Sequence, residues 1–262
     1  MGKVLAIANQ KGGVGKTTTS VNLAASLKMT RKKVLLIDLD PQGNATMGSG
    51  VDKATLKYTV CDLLIDTTEI ADVLQTLDEA DYDILPSNGD LVAAEVQLMN
   101  VENREMKLRS IIDSVRDNYD FIVIDCPPSL NMLTINALVA ADGVVIPMQC
   151  EYYALEGLSA LMDTIRAIKD YLNPDLKIEG ILRTMYDPRN KLTTEVNVQL
   201  FSHFGDAVYR TVVPRNIRLA EAPSYGKPII KYDSKSRGAI AYLALAGEML
   251  RRHDEAAAAL RN

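Results

Sequence analysis

Short runs rich in Val, Ile and Leu alternate along this chain with longer stretches in which apolar residues recur every three or four positions. A short continuous apolar run suits a strand covered on both faces, and the longer period suits a helix with one buried face. The pattern predicts strands at 3–8, 33–37, 83–85, 121–124, 143–147 and 178–184. It predicts helices at 17–29, 103–117, 130–140, 155–172, 193–204 and 239–252. Such alternation is the signature of βαβ units, so the expected fold is α/β, a mostly parallel central sheet flanked by helices.

In the last helix, Leu243, Ala246, Met249 and Leu250 share one face, which predicts packing on the sheet rather than on a membrane surface. The tail 253–262 is expected to fray. Segment 52–81 is rich in acids with only two lysines and is expected to be a solvent-facing excursion. Neither a repeat nor a linker interrupts the pattern, so 1–262 is expected to form a single domain.

Composition narrows the classes. With 47% hydrophobic residues and a net charge of −5, the 262-residue chain is neither disordered nor short of material for a core. Its longest weakly polar runs fall well short of the ~20 residues of a membrane span, which predicts no integral membrane association. Met-Gly-Lys leads directly into a strand-like run, so no leader is expected, and Ala6 stands where a myristoylation motif wants Ser or Thr. Three scattered cysteines and two histidines suit reduced thiols in a cytoplasm and leave few ligands for a zinc or iron–sulfur centre. Cys126 is expected to be a small buried packing residue.

The strongest chemical signal is VLAIANQKGGVGKTTTS at 4–20: a buried-type strand, a glycine-rich turn and a helix start. In that context backbone N–H groups converge on an anion. Gly12, Gly13 and Gly15 let the chain approach phosphates, Lys16 reaches their oxygens, and Thr17 is placed to ligate Mg²⁺. The strict G-x-x-x-x-G-K-[ST] pattern fails at Gln10, and an additional lysine, Lys11, opens the loop. Two acidic strand ends accompany it. FIVID at 121–125 ends in Asp125, in the form of a Walker B element beside Mg²⁺. LLIDLDPQG at 35–43 carries Asp38 and Asp40, which share one side if the extended geometry persists. An acid near the γ-phosphate could orient or deprotonate the attacking water. Together these elements point to a nucleotide hydrolase.

KGGVGKTT at 11–18, DLDPQGN at 38–44, DCPPS at 125–129 and QCEYYALEGL at 149–158 resemble the deviant Walker A ATPases of the ParA/MinD superfamily. They are most similar to the short chromosomal ParA or Soj branch, over about residues 2 to 250. The resemblance implies a P-loop fold that binds ATP and Mg²⁺ and hydrolyses ATP slowly, stimulated by a partner. It implies that Lys11 contacts the nucleotide of the opposite protomer in an ATP-bound homodimer. Gly12 to Gly15 (with Val14), Lys16, Thr17 and Thr18 would bind the nucleotide, Asp40 would serve the attacking water, and Thr17, Asp40 and Asp125 would surround the metal. Pro214, Arg215 and Asn216 match the adenine-contacting segment. A cation set against the transferring phosphoryl group offsets charge developing in the transition state, so a lysine supplied from a second subunit would tie hydrolysis to dimerisation.

Members of that branch bind double-stranded DNA without sequence preference and act with a ParB or Spo0J type of partner in chromosome or plasmid segregation on the nucleoid. Overall acidity argues against nucleic acid, but residues 183–237 hold ten basic residues against five acids, so the remainder carries −10. Arg189 and Arg218 match positions that contact DNA in the branch, and Lys191, Lys231 and Arg237 are further candidates. The alternative is a MinD-like or ParA-like ATPase that positions a protein cargo, such as a cell-pole, flagellar or chemotaxis cluster. The tail HDEAAAALRN lacks the cationic, apolar face of a membrane-binding helix. Tyr152 and Tyr153, with Glu151 and Glu156, are expected to give structural support or a dimer contact.

Overall fold

The structure, a computed structural model, describes residues 1–151 and 154–259, without the side chains of Ala154 and Glu156. Tyr152, Tyr153 and the Glu156 side chain, expected to support the structure or a dimer contact, therefore lie outside the described residues. Eight strands form one sheet: β1 (Lys3–Ile7), β2 (Val34–Asp38), β3 (Gln75–Leu77), β4 (Tyr82–Leu85), β5 (Phe121–Asp125), β6 (Gly143–Gln149), β7 (Lys177–Tyr186) and β8 (Val208–Pro214). Their order is β3-β4-β2-β5-β1-β6-β7-β8, parallel except for the β3–β4 pair at one edge. The helices are α1 (Lys16–Met29), α2 (Asn44–Gly48), α3 (Val60–Leu64), α4 (Ile70–Val73), α5 (Leu91–Leu98), α6 (Lys107–Val115), α7 (Met132–Ala140) and α8 (Ala154–Tyr171). They continue as α9 (Lys191–Phe204), α10 (Ile217–Glu221), α11 (Ile229–Tyr232) and α12 (Arg237–Ala259).

The continuous apolar runs are explained by cover on both sides. In β1, Val4 and Ala6 enter one core layer and Leu5 and Ile7 the other, all of them fully buried. Helices α5 to α9 supply the first layer; α1, α11 and α12 supply the second. Each fully buried Leu or Ile contributes about 1.5–3 kcal/mol, so a strand that faces two layers gains at every position. Strand β1 sits between β5 and β6: the chain leaves β1 for β2 on one side and later crosses from β5 past β1 to β6 on the other, so the winding reverses there. In open parallel sheets that is where ligands meet the carboxyl ends of strands.

Three expectations change. The acidic 52–81 segment is not merely a solvent-facing excursion: it forms α3, α4 and β3, and Val60, Leu64 and Val73 are buried. Thr59 and Asp62 close a capping box on α3, so two of that segment's polar residues build a helix. The fraying expected from 253 is not found at 253–259, where α12 continues to Ala259 and His253 is fixed by Glu179 and stacks on Phe121; 260–262 lie outside the described residues. Finally, β8 was not legible as a strand. Arg210 interrupts its apolar run, a position tolerated because β8 is an edge strand.

Candidate nucleotide site

The loop between β1 and α1 is shaped by its glycines. Gly13 and Gly15 have φ of 72° and 87°, in the left-handed region that a side chain disfavours. Gly15 is also the N-cap of α1 and offers the first-turn amides no side-chain acceptor, so they are free for an anion. Three tethers hold the loop. Asn9 Nδ2 donates to Pro147 O (2.8 Å) while its Oδ1 accepts from Lys11 N (3.0 Å), and Thr184 Oγ1 donates to Val14 O (2.7 Å). Val14 itself is buried. Lys16 is buried as well, its Nζ donating to Lys11 O at 3.0 Å across the loop. Burial lowers its pKa, although the nearby Asp125, Cys126 and Asp40 pull it back toward the charged form.

The three acids are not equivalent. Asp38 and Asp125 are paired in register at the ends of β2 and β5, and both are fully buried. Burial, reinforced by their mutual repulsion, pushes Asp125 up to about 8. Burial likewise raises Asp38 to about 6, against the bonds it receives. Asp38 accepts from Thr46 N (2.8 Å), Thr46 Oγ1 (2.7 Å) and Asp40 N (3.1 Å), so its lone pairs are spent on fixing the β2–α2 turn. Strand β2 ends at Asp38, Leu39 N still donates to Asp125 O (3.0 Å), and the carboxylates of Asp38 and Asp40 are held by different partners. Asp40 is held by Gln42 N on its Oδ1 (2.9 Å) and by Ser87 Oγ on its carbonyl (3.0 Å).

Asp125 Oδ1 accepts from Ser20 Oγ at 2.7 Å, and the nearby Thr17 hydroxyl pulls the pKa of this carboxylate down against its burial. Asp125 Oδ2 is buried and has no hydrogen-bond partner among the described residues. A buried carboxylate oxygen left over beside a threonine hydroxyl fits a hydrated Mg²⁺ held chiefly by phosphates. Among the described residues no group of three or more His, Cys, Asp or Glu could hold a metal by itself. Cys126 is buried beside Asp125, as expected of a packing residue.

A cleft of about 220 Å³ opens beside the loop, lined by Gly15, Thr18, Thr184, Met185, Val213, Pro214, Arg215, Asn216, Leu219, Ala220 and Tyr242. The loop and the 214–216 segment, two hundred residues apart in sequence, therefore share one wall-to-wall space. Its apolar lining suits the faces of a base. Met185, with φ of 46°, and Thr184 were missed by sequence reasoning; they enter because β7 ends beside β1's loop.

Lys11 does not line this cleft; it is half-exposed, with Nζ 2.6 Å from Glu151 Oε2 of its own chain. The ten basic residues of 183–237 do not act alike. Arg183 is internal, bonded to Asn197 and to the Tyr209 and Arg210 carbonyls, and Lys227 pairs with Glu79. Arg189, Lys191, Arg215, Arg218, Lys231, Lys235 and Arg237 are exposed. Arg189 pairs with Asp187, and Arg218 with Glu221 and Asp233.

A family model described as an AAA domain matches residues 2–178. The chain is 54% identical to the sporulation initiation inhibitor protein Soj of Bacillus subtilis strain 168, over 95% of this chain and 98% of that one. It is 50% identical to the chromosome partitioning protein ParA of Myxococcus xanthus, over 96% and 89% of the two chains. The chain belongs to the ParA/Soj family of partitioning ATPases. Among solved structures, this family member is similar to cobyrinic acid a,c-diamide synthase from Mycobacterium smegmatis with bound ATP analog and magnesium, at 37% identity and a TM-score of 0.86. That match covers 97% of this chain and 96% of the other. Among the described residues no helix is long and apolar enough to cross a membrane.

Proposed function

We propose that this ParA/Soj-family chain is an ATP-dependent dimerisation switch that hydrolyses ATP, binds duplex DNA without sequence preference as the ATP-bound dimer, and is reset by a ParB-like partner. The observation that carries the reading is the meeting of the glycine loop and the Pro214–Asn216 edge on one cleft, which Gly15 and Thr18 line beside Thr17, together with the buried Asp125, whose Oδ2 has no partner among the described residues. Gly12 to Thr18 bind the phosphates through backbone amides, Lys16 adds charge, and the 214–216 edge takes the base. Thr17 and Asp125, with Asp40 nearby, are the residues that would hold Mg²⁺, which supplies charge neutralisation of the phosphates when bound.

Asp40 orients or deprotonates the attacking water. Lys11, placed at the rim and paired by a bond that an incoming phosphate can replace, serves the nucleotide of a second copy. Hydrolysis then dissolves the dimer, making the switch a timer. Exposed arginines and lysines of 189–237 form the DNA surface, whose charge doubles on dimerisation and steepens the salt dependence of binding. On this reading the protein acts in the cytoplasm, on the nucleoid.

The test is a gel shift on duplex DNA of arbitrary sequence with ATP, ADP or no nucleotide. Binding with ATP alone, weakened by added salt, is expected. Equal binding with ADP would overturn the switch, and ATP-driven dimers that ignore DNA would favour a protein cargo.

A further inference from the structure

The two arginines placed foremost on the DNA surface are already engaged by carboxylates of their own chain. Arg189 grips Asp187 at two points, Nε to Oδ1 at 2.9 Å and Nη2 to Oδ2 at 2.7 Å. Arg218 Nη1 reaches Glu221 Oε2 at 2.9 Å, and its Nε lies 3.6 Å from Asp233 Oδ2. Glu221 is steadied by Tyr232 OH at 3.2 Å. The Arg189 bonds occupy two donors in the fork geometry that a phosphate would use, and Arg218 has one donor engaged by Glu221 with the Asp233 charge beside it.

The carboxylates occupy particular places in the chain. Asp187 follows Met185 by two residues, and Glu221 directly follows Ala220; Met185 and Ala220 both line the base cleft. Arg215, on the same cleft, adds to the positive field on Asp187. The bonds from Arg189 hold Asp187 down to about 2, so its negative charge is permanent at any working pH. Both arginines are well exposed, 87% and 54% at the side chain, and exposed pairs are weak. A weak pair anchored on a ligand-lined strip can be broken by a small shift of that strip.

We propose that Asp187 and Glu221, with Asp233, are internal competitors for DNA phosphate, which cap Arg189 and Arg218 while the base cleft is empty and release them when nucleotide displaces the strips that carry Met185 and Ala220. Nucleotide thus raises DNA affinity within each protomer as well as by pairing protomers. The inference rests on the nucleotide and DNA reading above and adds the residues that link its two sites. Balance is simple: one carboxylate–guanidinium pair is exchanged for one phosphate–guanidinium pair, and the carboxylate returns to water.

The experiment measures anisotropy of a labelled duplex of arbitrary sequence over a salt series, without nucleotide and with a non-hydrolysable ATP analogue and Mg²⁺. Wild type is compared with Asp187→Asn/Glu221→Gln and with Glu195→Gln, an exposed acid of α9 that removes charge elsewhere in the same region. The double variant is expected to bind about tenfold more tightly without nucleotide, with its salt slope steeper by roughly 0.9 for each released arginine. With the analogue it should differ from wild type by less than about twofold, because those arginines are then already free. An equal gain in both states, or a gain matched by Glu195→Gln, would reduce the effect to bulk charge and overturn the latch. Thermal melts of both variants exclude loss of fold. Should wild type bind no DNA in any state, the DNA reading itself falls, whereas nucleotide-dependent wild-type binding with an equal gain in the variant sinks only the latch.

Discussion

Two cationic regions of this protein are both occupied by the chain itself, in different ways. Lys16 is buried and bonded to a backbone carbonyl of its own loop, with three acids or thiols in its field and no exposed partner to trade. Arg189 and Arg218 are exposed and bonded to side-chain carboxylates from the same surface. Lys16 can only be satisfied better by an anion that enters the loop. The arginines are already satisfied by charge, so a DNA phosphate has to compete for them. The first arrangement gives a standing binding site, and the second gives one whose affinity can be set from elsewhere.

The end of the cleft proposed for hydrolysis should respond most. Asp40→Ala is expected to lower ATP turnover by about 10²- to 10⁴-fold, the usual contribution of a positioned acid or base, while ATP-driven dimers persist. Phosphate release and light scattering follow the two quantities, and normal turnover would remove Asp40 from that role. Lys16→Ala comes next, with a loss of roughly 10²-fold or more in nucleotide affinity, read by calorimetry, and no dimer with ATP. If Lys16→Ala weakened ATP by only a few-fold, the lysine would be no better placed than an exposed arginine, and the contrast between the regions would collapse.

How much of each region could be read in advance follows from how each is built. The glycine loop is contiguous: Lys11 to Thr18, with a strand before and a helix after, so its place in the fold could be read from spacing alone. The place of Asp125 at the end of β5 was legible because an apolar strand that ends in an acid is itself a local signal. The fate of Asp38 was not, since it depends on its register opposite Asp125 and on Thr46 folding back eight residues later. Asn9, Thr184 and Met185 were silent for the same reason, each acting on a loop delivered by a different strand. On the basic surface the count of charges was visible, but sequence could not show that Arg183 turns inward to Asn197 or that Asp187, Glu221 and Asp233 sit among the arginines. The sheet's six inner strands were read from their apolar runs, whereas the edge strands β3 and β8 were hidden by brevity and by Arg210.

A smaller effect tests the surface directly. Arg218→Glu should weaken DNA binding by the ATP-bound dimer about tenfold near physiological salt, since two phosphate contacts are lost per dimer and two repulsive charges appear. ATP affinity should stay within about twofold, because Arg218 lies outside the cleft lining. Titration of nucleotide and of DNA on the same preparation separates the two. A parallel fall in both would mean that the regions are not distinct in function, and an unchanged DNA affinity would exclude Arg218 from the interface.

The smallest functional effect is expected from a third set of charges, satisfied inside the protein at the opposite end of the sheet. Glu179 accepts from Lys3 Nζ at 2.7 Å and from His253 Nε2 at 2.5 Å, tying β1 and the far end of α12 to β7. Burial alone would raise its pKa, but the bonds from His253 and the charge and bond of Lys3 outweigh it, and the pKa is lowered below the ordinary 4.5. The folded state therefore binds its proton less readily than the unfolded chain. Its contribution is in place above the ordinary carboxylate range and is lost as pH falls through the lowered value. Glu179→Gln should cost about 1–3 kcal/mol at pH 7, the range for a partly buried charged hydrogen bond. It should also flatten the decline of melting temperature on acidification below pH 5, with ATP turnover and DNA affinity within about twofold of wild type. Melting curves from pH 3 to 7 check the stability, and a steep acid decline that survives the substitution would assign the acid sensitivity to other carboxylates. Loss of turnover or DNA binding in a variant that is still folded would show that α12 relays this anchor to the cleft through Tyr242, and the separation of internal from working charges would fail there.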